Sequence, residues 1–399
     1  MKYDFKTLIN RHHSGAVKYE IMKARNPNIG ENIVPYSVAD MEFKTPPEIV
    51  EALKKYLDEQ NLGYIKETSG YLEVVNAWMR TRHDWEIKNE WIVCTPGVVS
   101  ALYSAVTAFT EPEDGIILMT PIYHDFYYAV EAGKRAVVKN PLLNENGRYE
   151  IDYDDLERKA REPRNKLLIF CSPHNPVGRV WTKEELTKVG EICIRNNILI
   201  ISDEIHFDLV MPGYTHTVFA KVEGVADRTI ICTAPSKTFN LAGMQTSNII
   251  IPDARLRRIF KKQLDAAGMM NLNTLGYRAC EAAYRECGAW LDELIEVIVH
   301  NHRTLKTYME KNHPEIIVYP LEGTYLQWMD FRALGLNRKE LEETLEKDAE
   351  VFLDHGHTFG DEGEGFERMN LACPSVIMME GLERLSKGIQ KLKSEDRFK

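Results

Sequence analysis

The sequence predicts an α/β fold: a seven-stranded, mostly parallel sheet between helices, followed by a smaller α+β domain. Through the middle of the chain, apolar runs of strand length alternate with amphipathic helical patterns. Several of these runs are continuously apolar, as expected for strands of a parallel sheet that helices cover on both faces. After about residue 288 the pattern changes to a long helix followed by a strand-containing stretch. These observations favour a layered large domain and a separate small one.

The strands of the large domain are predicted from short runs rich in β-branched and other apolar residues. Between two of them, Thr182 and Glu185 form a capping-box pattern, which predicts a helix running to about Asn196. The predicted strands are Trp91–Thr95, Gly115–Thr120, Ala136–Lys139, Leu167–Cys171, Ile198–Ser202, Thr229–Thr233 and Ser247–Ile251.

Three segments are expected along the chain. Residues 1–45 are loop-rich and are assigned to the small domain as an N-terminal segment, and Pro46-Pro47 marks the start of a helix. Residues 46–288 form the large domain and residues 289–399 the small C-terminal domain. In the last segment the patterns predict helices over 289–312, 338–347 and 376–392 and strands over 316–319 and 324–330.

Composition excludes several classes of partner. The chain has 399 residues and a formal net charge of -10, with acidic and basic residues mixed along its length. Nucleic acids and anionic membranes both need a basic face, so neither is expected to bind. The longest apolar runs are too short to cross a bilayer. All seven cysteines are scattered without a C-x-x-C pair, which is typical of a reduced, cytoplasmic protein.

Three polar residues follow three of the predicted strands. Lys237 lies in A-P-S-K-T-F-N, Asp203 in S-D-E-I-H-F-D-L and Asn175 in S-P-H-N-P-V-G-R. Because the carboxyl ends of parallel strands meet at one edge of a sheet, these side chains should lie close together, where open α/β sheets bind ligands.

This set of groups matches the needs of pyridoxal 5'-phosphate. A lysine amine forms an imine with the aldehyde, an acid such as Asp203 keeps the pyridine nitrogen protonated, and the Asn175 amide donates to the phenolate oxygen. The segment T-P-G-V-V-S-A-L predicts a helix opening at Val98 and Val99, whose free amides would face the phosphate. Ser236 would add a hydroxyl.

Other cofactor and catalytic motifs are missing from the sequence. There is no G-x-G-x-x-G after a strand, no G-x-x-x-x-G-K-S/T loop and no G-x-S-x-G elbow. His355 and His357, beside Asp361, Glu362 and Glu364, are interpreted as part of a solvated acidic, glycine-rich loop, so no metal site is expected.

Several strings resemble one family. They are V-A-D-M-E-F, T-P-I-Y, S-P-H-N-P-V-G-R-V-W, S-D-E-I-H-F-D-L, A-P-S-K-T-F-N-L-A-G and E-G-T-Y-L-Q-W. In this order they resemble the cystathionine β-lyase-like branch (MalY/PatB type, including the cystalysin group) of the aspartate-aminotransferase-like, fold-type I pyridoxal-phosphate enzymes. The resemblance spans nearly the whole chain. It implies a large cofactor-binding domain with a mixed, mostly parallel sheet, and a homodimer.

The resemblance also implies roles for further residues. Tyr123 would stack on the cofactor ring, and His206 would lie close to the cofactor as a supporting group. Arg368, in F-E-R-M-N-L, would grip the substrate carboxylate, because a guanidinium binds a carboxylate through two parallel hydrogen bonds. Tyr64, in L-G-Y, would reach the phosphate of the neighbouring subunit, so that the active sites are shared. His124 stands where the cystalysin group has a second tyrosine near the substrate.

The sequence departs from the family pattern elsewhere. Tyr19-Glu20 replaces a Trp-Asp pair, Glu42 replaces an aspartate, and Gln245 lies where aminotransferases have a phosphate-binding arginine. These changes, like His124, leave the cofactor chemistry intact and bear on the choice of leaving group.

The implied activity is α,β-elimination on an L-amino acid with sulfur at Cβ. L-Cystathionine, L-cysteine or S-substituted cysteines would yield a thiol or sulfide, pyruvate and ammonia, with Lys237 as general base. An aminotransferase acting on a small or aromatic amino acid is the alternative with the same cofactor. A regulatory role through binding a protein partner would be additional to catalysis.

Overall fold

The computed structural model describes residues 1–145, 147–269 and 271–394. Within these ranges the strands are β1 Ile92–Thr95, β2 Gly115–Thr120, β3 Ala136–Pro141, β4 Leu143–Glu145, β5 Arg148–Glu150, β6 Asn165–Cys171, β7 Leu199–Asp203, β8 Thr229–Thr233, β9 Ser247–Ile250, β10 Ile317–Val318, β11 Leu326–Asp330, β12 Asp354–His355 and β13 Phe366–Asn370.

The α-helices surround two of the sheets that these strands form. They are α1 Val17–Arg25, α2 Pro47–Glu59, α3 Ser69–His83, α4 Val98–Phe109, α5 His124–Ala132, α6 Tyr153–Ala160, α7 Lys183–Arg195, α8 Pro235–Thr238, α9 Ala254–Ala266, α10 Thr274–Glu286, α11 Gly288–Asn312, α12 Arg338–Glu343 and α13 Ser375–Ser394. Among the described residues, none of these helices is both long and apolar enough to cross a membrane.

The large sheet has the strand order β1-β9-β8-β7-β6-β2-β3. Strand β9 runs antiparallel to both neighbours, whereas β8, β7, β6, β2 and β3 are mutually parallel. The seven predicted strands are therefore the seven strands of this sheet, with ends shifted by at most two residues. The prediction of a mixed, mostly parallel sheet between helices is confirmed.

Both faces of the sheet are buried, which explains the continuously apolar strands. In β6, Leu167 and Ile169 pack into one hydrophobic cluster, while Leu168 and Phe170 pack into another on the opposite face. Because successive side chains of a strand point to opposite faces, each face must be covered by helices. Packing on both faces therefore fixes the sheet and the positions of the residues at the ends of its strands.

The second sheet is antiparallel, with the order β10-β11-β13-β12. The sequence predicted β10 and β11 but missed β12 and β13. The three predicted helices of this region are present, although the second passes into a π-helical turn over 344–348. Residues 395–399 of the predicted C-terminal domain lie outside the described residues. The domain boundaries themselves stay a prediction.

The N-terminal segment is joined to the second sheet by backbone hydrogen bonds. The Tyr36 amide donates to the Phe352 carbonyl at 2.9 Å, and the Asn370 amide donates to the Tyr36 carbonyl at 2.8 Å. Glu42 donates its amide to Ala372 at 2.9 Å. These bonds hold residues 36–42 against the second sheet.

The predicted helix starts are confirmed. Pro47 is the first residue of α2. At the start of α7, the Thr182 hydroxyl accepts from the Glu185 amide at 3.2 Å, and the Glu185 carboxylate accepts from the Thr182 amide at 2.8 Å. This reciprocal pair satisfies amides that would otherwise lack partners in the first turn.

Replacing Thr182 by Ala should lower the free energy of unfolding by about 1 kcal/mol, because the capping hydroxyl is lost. Thr182→Ser keeps that hydroxyl and should stay close to the wild type. Urea unfolding of the three proteins measures the difference. Equal midpoints for the Ala and Ser variants would contradict the capping role.

Candidate active site

A cavity of about 600 Å³ lies where the carboxyl ends of the parallel strands meet the second sheet and the N-terminal segment. Strands β8, β7 and β6 are neighbours, so the residues that follow them converge as predicted. The predicted site residues that line this cavity are Val98, Val99, Tyr123, His124, Asn175, Asp203, His206, Ser236, Lys237 and Arg368.

Lys237 lies in the short helix α8, which begins at Pro235 directly after β8. Its Nζ donates to the Ala39 carbonyl at 2.9 Å. Burial, followed by repulsion from Arg368, lowers the pKa of Lys237 to about 8. A larger share of this amine is therefore neutral near pH 7 than of an ordinary lysine, as a nucleophile or base requires.

Asp203 is the last residue of β7 and is buried. Its Oδ1 accepts from the Ile205 amide at 3.1 Å. Burial raises the pKa of Asp203 to about 7, since this amide and the charge of Lys237 only partly offset the loss of hydration. No cation among the described residues forms an ion pair with Asp203. The carboxylate thus lacks the positive partner that its ionised form needs.

Asn175 and Arg368 are joined directly. Arg368 Nη1 donates to Asn175 Oδ1 at 2.6 Å, and its Nη2 pairs with Asp354 Oδ2 at 2.5 Å. Because the amide oxygen of Asn175 is engaged by an arginine, its NH₂ group is turned elsewhere and remains a donor. The Arg368 side chain lies in β13, whose pairing with β12 brings Asp354 opposite it.

The turn that carries Asn175 is held by a second arginine. Arg179 Nε donates to Glu322 at 2.9 Å, and Arg179 Nη2 donates to Glu185 at 2.9 Å. The same Glu322 carboxylate accepts the Val180 amide at 2.9 Å. Burial opposes these charges, but the two carboxylates keep the pKa of Arg179 above its usual value. The S-P-H-N-P-V-G-R and E-G-T-Y strings are therefore linked by a buried ion pair.

The first residues of helix α4 line the cavity. Gly97, at the cap position, has φ +101°, a conformation that other residues rarely adopt, and a Cβ there would meet only Ser100 Oγ at 3.9 Å. Val98 and Val99 follow as the first helical residues. The N-terminus of a helix attracts anions, because its first amides are unpaired and its dipole is positive there. The side chains of Ser236 and Thr246 line the same cavity.

Two histidines and a tyrosine in the cavity are held uncharged. Burial, followed by the charges of Lys237 and Arg368, places the pKa of His206 well below its ordinary value. Burial also lowers the pKa of His124 and raises that of Tyr123. The His206 ring lies edge-on to Tyr325, with centroids 6.1 Å apart, and the Tyr325 hydroxyl donates to the Ala39 carbonyl at 2.9 Å.

Tyr64 lies apart from the cavity and is 95% exposed. Nearby Leu62 is 64% exposed, so this stretch presents apolar surface to its surroundings. The predicted contact with a neighbouring subunit stays a prediction.

Sequence reasoning missed the ion cluster that supports Ala39. Lys18 is buried and pairs with Asp40 at 2.9 Å and with Glu42 at 3.0 Å, while Arg11 pairs with the same carboxylates at 2.6 and 2.8 Å. The Tyr19 hydroxyl donates to Glu42 at 2.9 Å. Tyr19 and Glu42, which both depart from the family pattern, thus contact each other. The two acidic residues of V-A-D-M-E were the feature of the sequence that could have predicted this cluster.

The interpretation of His355 as part of a solvated loop is wrong. The side chain is buried, with Nδ1 3.0 Å from Glu367 and Nε2 2.8 Å from Glu346. Burial would lower its pKa, but the two carboxylates outweigh that effect and raise the pKa of His355 to about 10. Glu346 also pairs with Arg25 at 3.1 Å. Arg25, Asp354 and His355 line the cavity, and sequence reasoning named neither Arg25 nor Asp354.

The residues present fit pyridoxal phosphate. The uncompensated carboxylate of Asp203 would be balanced by a protonated ring nitrogen, and the open cap at Gly97 leaves room for a phosphate. Lys237 presents an amine of lowered pKa in the same cavity, which is also large enough for a small amino acid.

Comparisons with known proteins agree with this chemistry. Residues 29–385 match the family model described as aminotransferase class I and II. The chain is 43% identical to cystathionine beta-lyase PatB of Bacillus subtilis (strain 168) over 353 residues, 88% of this chain and 91% of that protein. It is 29% identical to protein MalY of Escherichia coli (strain K12) over 390 residues, 97% and 99% of the two chains.

Among solved structures, cystalysin from Treponema denticola, which contains a pyridoxal 5'-phosphate cofactor, is 52% identical with a TM-score of 0.97. The match covers 98% of this chain and 100% of cystalysin.

The stability of the cofactor-free protein should depend on the ionisation of Asp203. An ordinary aspartate has a pKa of 3.8, and that of Asp203 is about 7, so between these values the folded state retains a proton that the unfolded state loses. The contribution of this group to the free energy of unfolding therefore falls as pH rises from about 4 to 7, by at most about 1.4 kcal/mol per pH unit.

Asp203→Asn lacks this contribution. Urea unfolding of both cofactor-free proteins at several pH values should show the variant gaining stability over the wild type as pH rises. A difference that does not change with pH would contradict the buried, uncompensated carboxylate.

Proposed function

This chain belongs to the class I and II aminotransferase family, and from that membership we propose that it is a pyridoxal-phosphate-dependent carbon–sulfur β-lyase. It converts L-cystathionine, L-cysteine or S-substituted cysteines to a thiol or sulfide, pyruvate and ammonia. The observation that carries the proposal is the single cavity that combines Lys237, Arg368 and the uncompensated Asp203.

The chain's own residues hold the cofactor. When bound, pyridoxal phosphate supplies an electron sink that stabilises negative charge at the substrate's Cα. Lys237 provides the amine for covalent attachment, and Asp203 pairs with the ring nitrogen. Asn175 donates its NH₂ group to the phenolate oxygen. The amides of Val98 and Val99 and the Ser236 hydroxyl bind the phosphate.

Two residues position and deprotonate the substrate. Arg368 binds the α-carboxylate, with Asp354 and Asn175 fixing the guanidinium. The neutral amine of Lys237 then removes the α-proton as general base, which its lowered pKa favours. The Cβ–S bond breaks with its electron pair leaving on sulfur, and the remaining three-carbon fragment takes up water to give pyruvate and ammonia.

Three aromatic side chains complete the site. Tyr123 stacks on the cofactor ring, which suits its place at the start of α5. His206, buried and uncharged, supports the cofactor without transferring a proton. His124 lies beside the substrate.

The active form is a homodimer with shared active sites. The exposed Tyr64 and Leu62 support this arrangement, because an apolar stretch of this kind is commonly covered by a partner. Tyr64 reaches the phosphate in the neighbouring subunit. We also propose a cytoplasmic location, which the free state of all seven cysteines supports.

Incubated with L-cystathionine and no keto acid, the protein should release pyruvate and a free thiol. Lys237→Ala should reduce the rate by at least about 100-fold, because it removes the general base. Pyruvate and thiol formation can be followed with coupled absorbance assays. If product appeared only after a keto acid was added, the aminotransferase alternative would be favoured instead.

Co-expression of Lys237→Ala and Tyr64→Ala chains tests the shared site. In a mixed dimer, one site combines an intact Lys237 with the intact Tyr64 of the other chain, so random pairing leaves about a quarter of the sites complete. Activity should therefore rise above that of either variant alone. No recovery in a purified mixed dimer would show that Tyr64 does not serve its partner.

A further inference from the structure

Helix α1 forms one wall of the cavity. Val17, Ile21 and Arg25 line it together with Lys237 and Arg368. Their spacing of four residues places them on one face of α1, so this face runs from two apolar side chains to a cation. Nothing in the cofactor chemistry above uses this face.

Arg25 is anchored by one nitrogen. Its Nη1 donates to Glu346 Oε1 and to the Leu353 carbonyl, both at 3.1 Å. Within the described ranges, neither Nε nor Nη2 forms a hydrogen bond, and the side chain is 28% exposed. The free Nε and Nη2 edge of a guanidinium matches the two oxygens of a carboxylate.

The two arginines that line the cavity contact adjacent residues of β12. Asp354 pairs with Arg368, and its neighbour His355 shares Glu346 with Arg25. The buried pair of His355 and Glu367 adds no net charge when both groups are ionised. Arg25 is thus a fixed second anion-binding point in the cavity that holds Arg368.

Resting on the proposed lyase function, we propose that Arg25 binds a carboxylate on the leaving group. Val17 and Ile21 would contact the methylene chain between the sulfur and that carboxylate. The enzyme would then prefer cysteine conjugates whose leaving thiol carries a carboxylate, as in L-cystathionine. L-Cysteine and conjugates whose leaving thiol has no carboxylate would be poorer substrates.

A matched pair of substrates tests this preference. S-(3-carboxypropyl)-L-cysteine carries the distal carboxylate, and S-butyl-L-cysteine has the same number of carbons without it. In Arg25→Met, the ratio of their kcat/KM values should fall roughly 10- to 100-fold, mainly through KM. Arg25→Lys, which keeps the charge but not the fork, should fall between.

A control variant separates binding from structure. Lys23→Met removes a cation of α1 that does not line the cavity, so it should retain most of the ratio. An unchanged ratio in Arg25→Met, or an equal loss on both substrates, would overturn the assignment. If the wild type released pyruvate from neither substrate, the lyase function itself would be overturned.

Discussion

The site depends on a carboxylate that the fold buries without a counter-charge. Asp203 ends a central strand whose neighbours are fixed by packing on both faces, so it has no freedom to reach solvent. Burial of an unpaired charge is unfavourable. In the proposed complex the protonated ring nitrogen would offset that cost, so the burial of Asp203 would add to the affinity for the cofactor.

The second requirement is that Lys237 be held in place, and the first forty residues provide for it. The Ala39 carbonyl accepts from both Lys237 and Tyr325. The next residue, Asp40, is fixed by Lys18 and Arg11. Two cations and two carboxylates form a compensated cluster, in which each charge has a partner. The N-terminal segment therefore acts as a structural part of the active site.

Much of the architecture was predictable because the large sheet is covered on both sides. A strand such as Leu167–Cys171 is continuously apolar for that reason, and its position in the chain predicted where Asn175 would lie. Asp203 and Lys237, which line the same cavity, likewise followed from their places after such strands. The strands of this sheet could therefore be predicted without knowing which distant segments are in contact.

The parts that were missed depend on pairing between distant residues. Strand β13 is fully buried, although it contains Glu367 and Arg368, because His355 and Asp354 neutralise those charges. Local hydrophobicity carries no signal of such pairing. For the same reason His355 was misread as exposed. The proposed role of Tyr64 depends on contacts with a second chain, which the pattern of a single sequence does not encode.

The wall formed by α1 has a consequence for how this enzyme could diversify. The residues proposed to bind the cofactor lie mostly after strands of the large sheet, whereas Val17, Ile21 and Arg25 lie on a short helix near the beginning of the chain. Changes in that helix would alter which thiols are accepted while leaving the electron-withdrawing machinery untouched. Natural variation or directed evolution confined to about ten residues would then suffice to move such an enzyme from one sulfur compound to another.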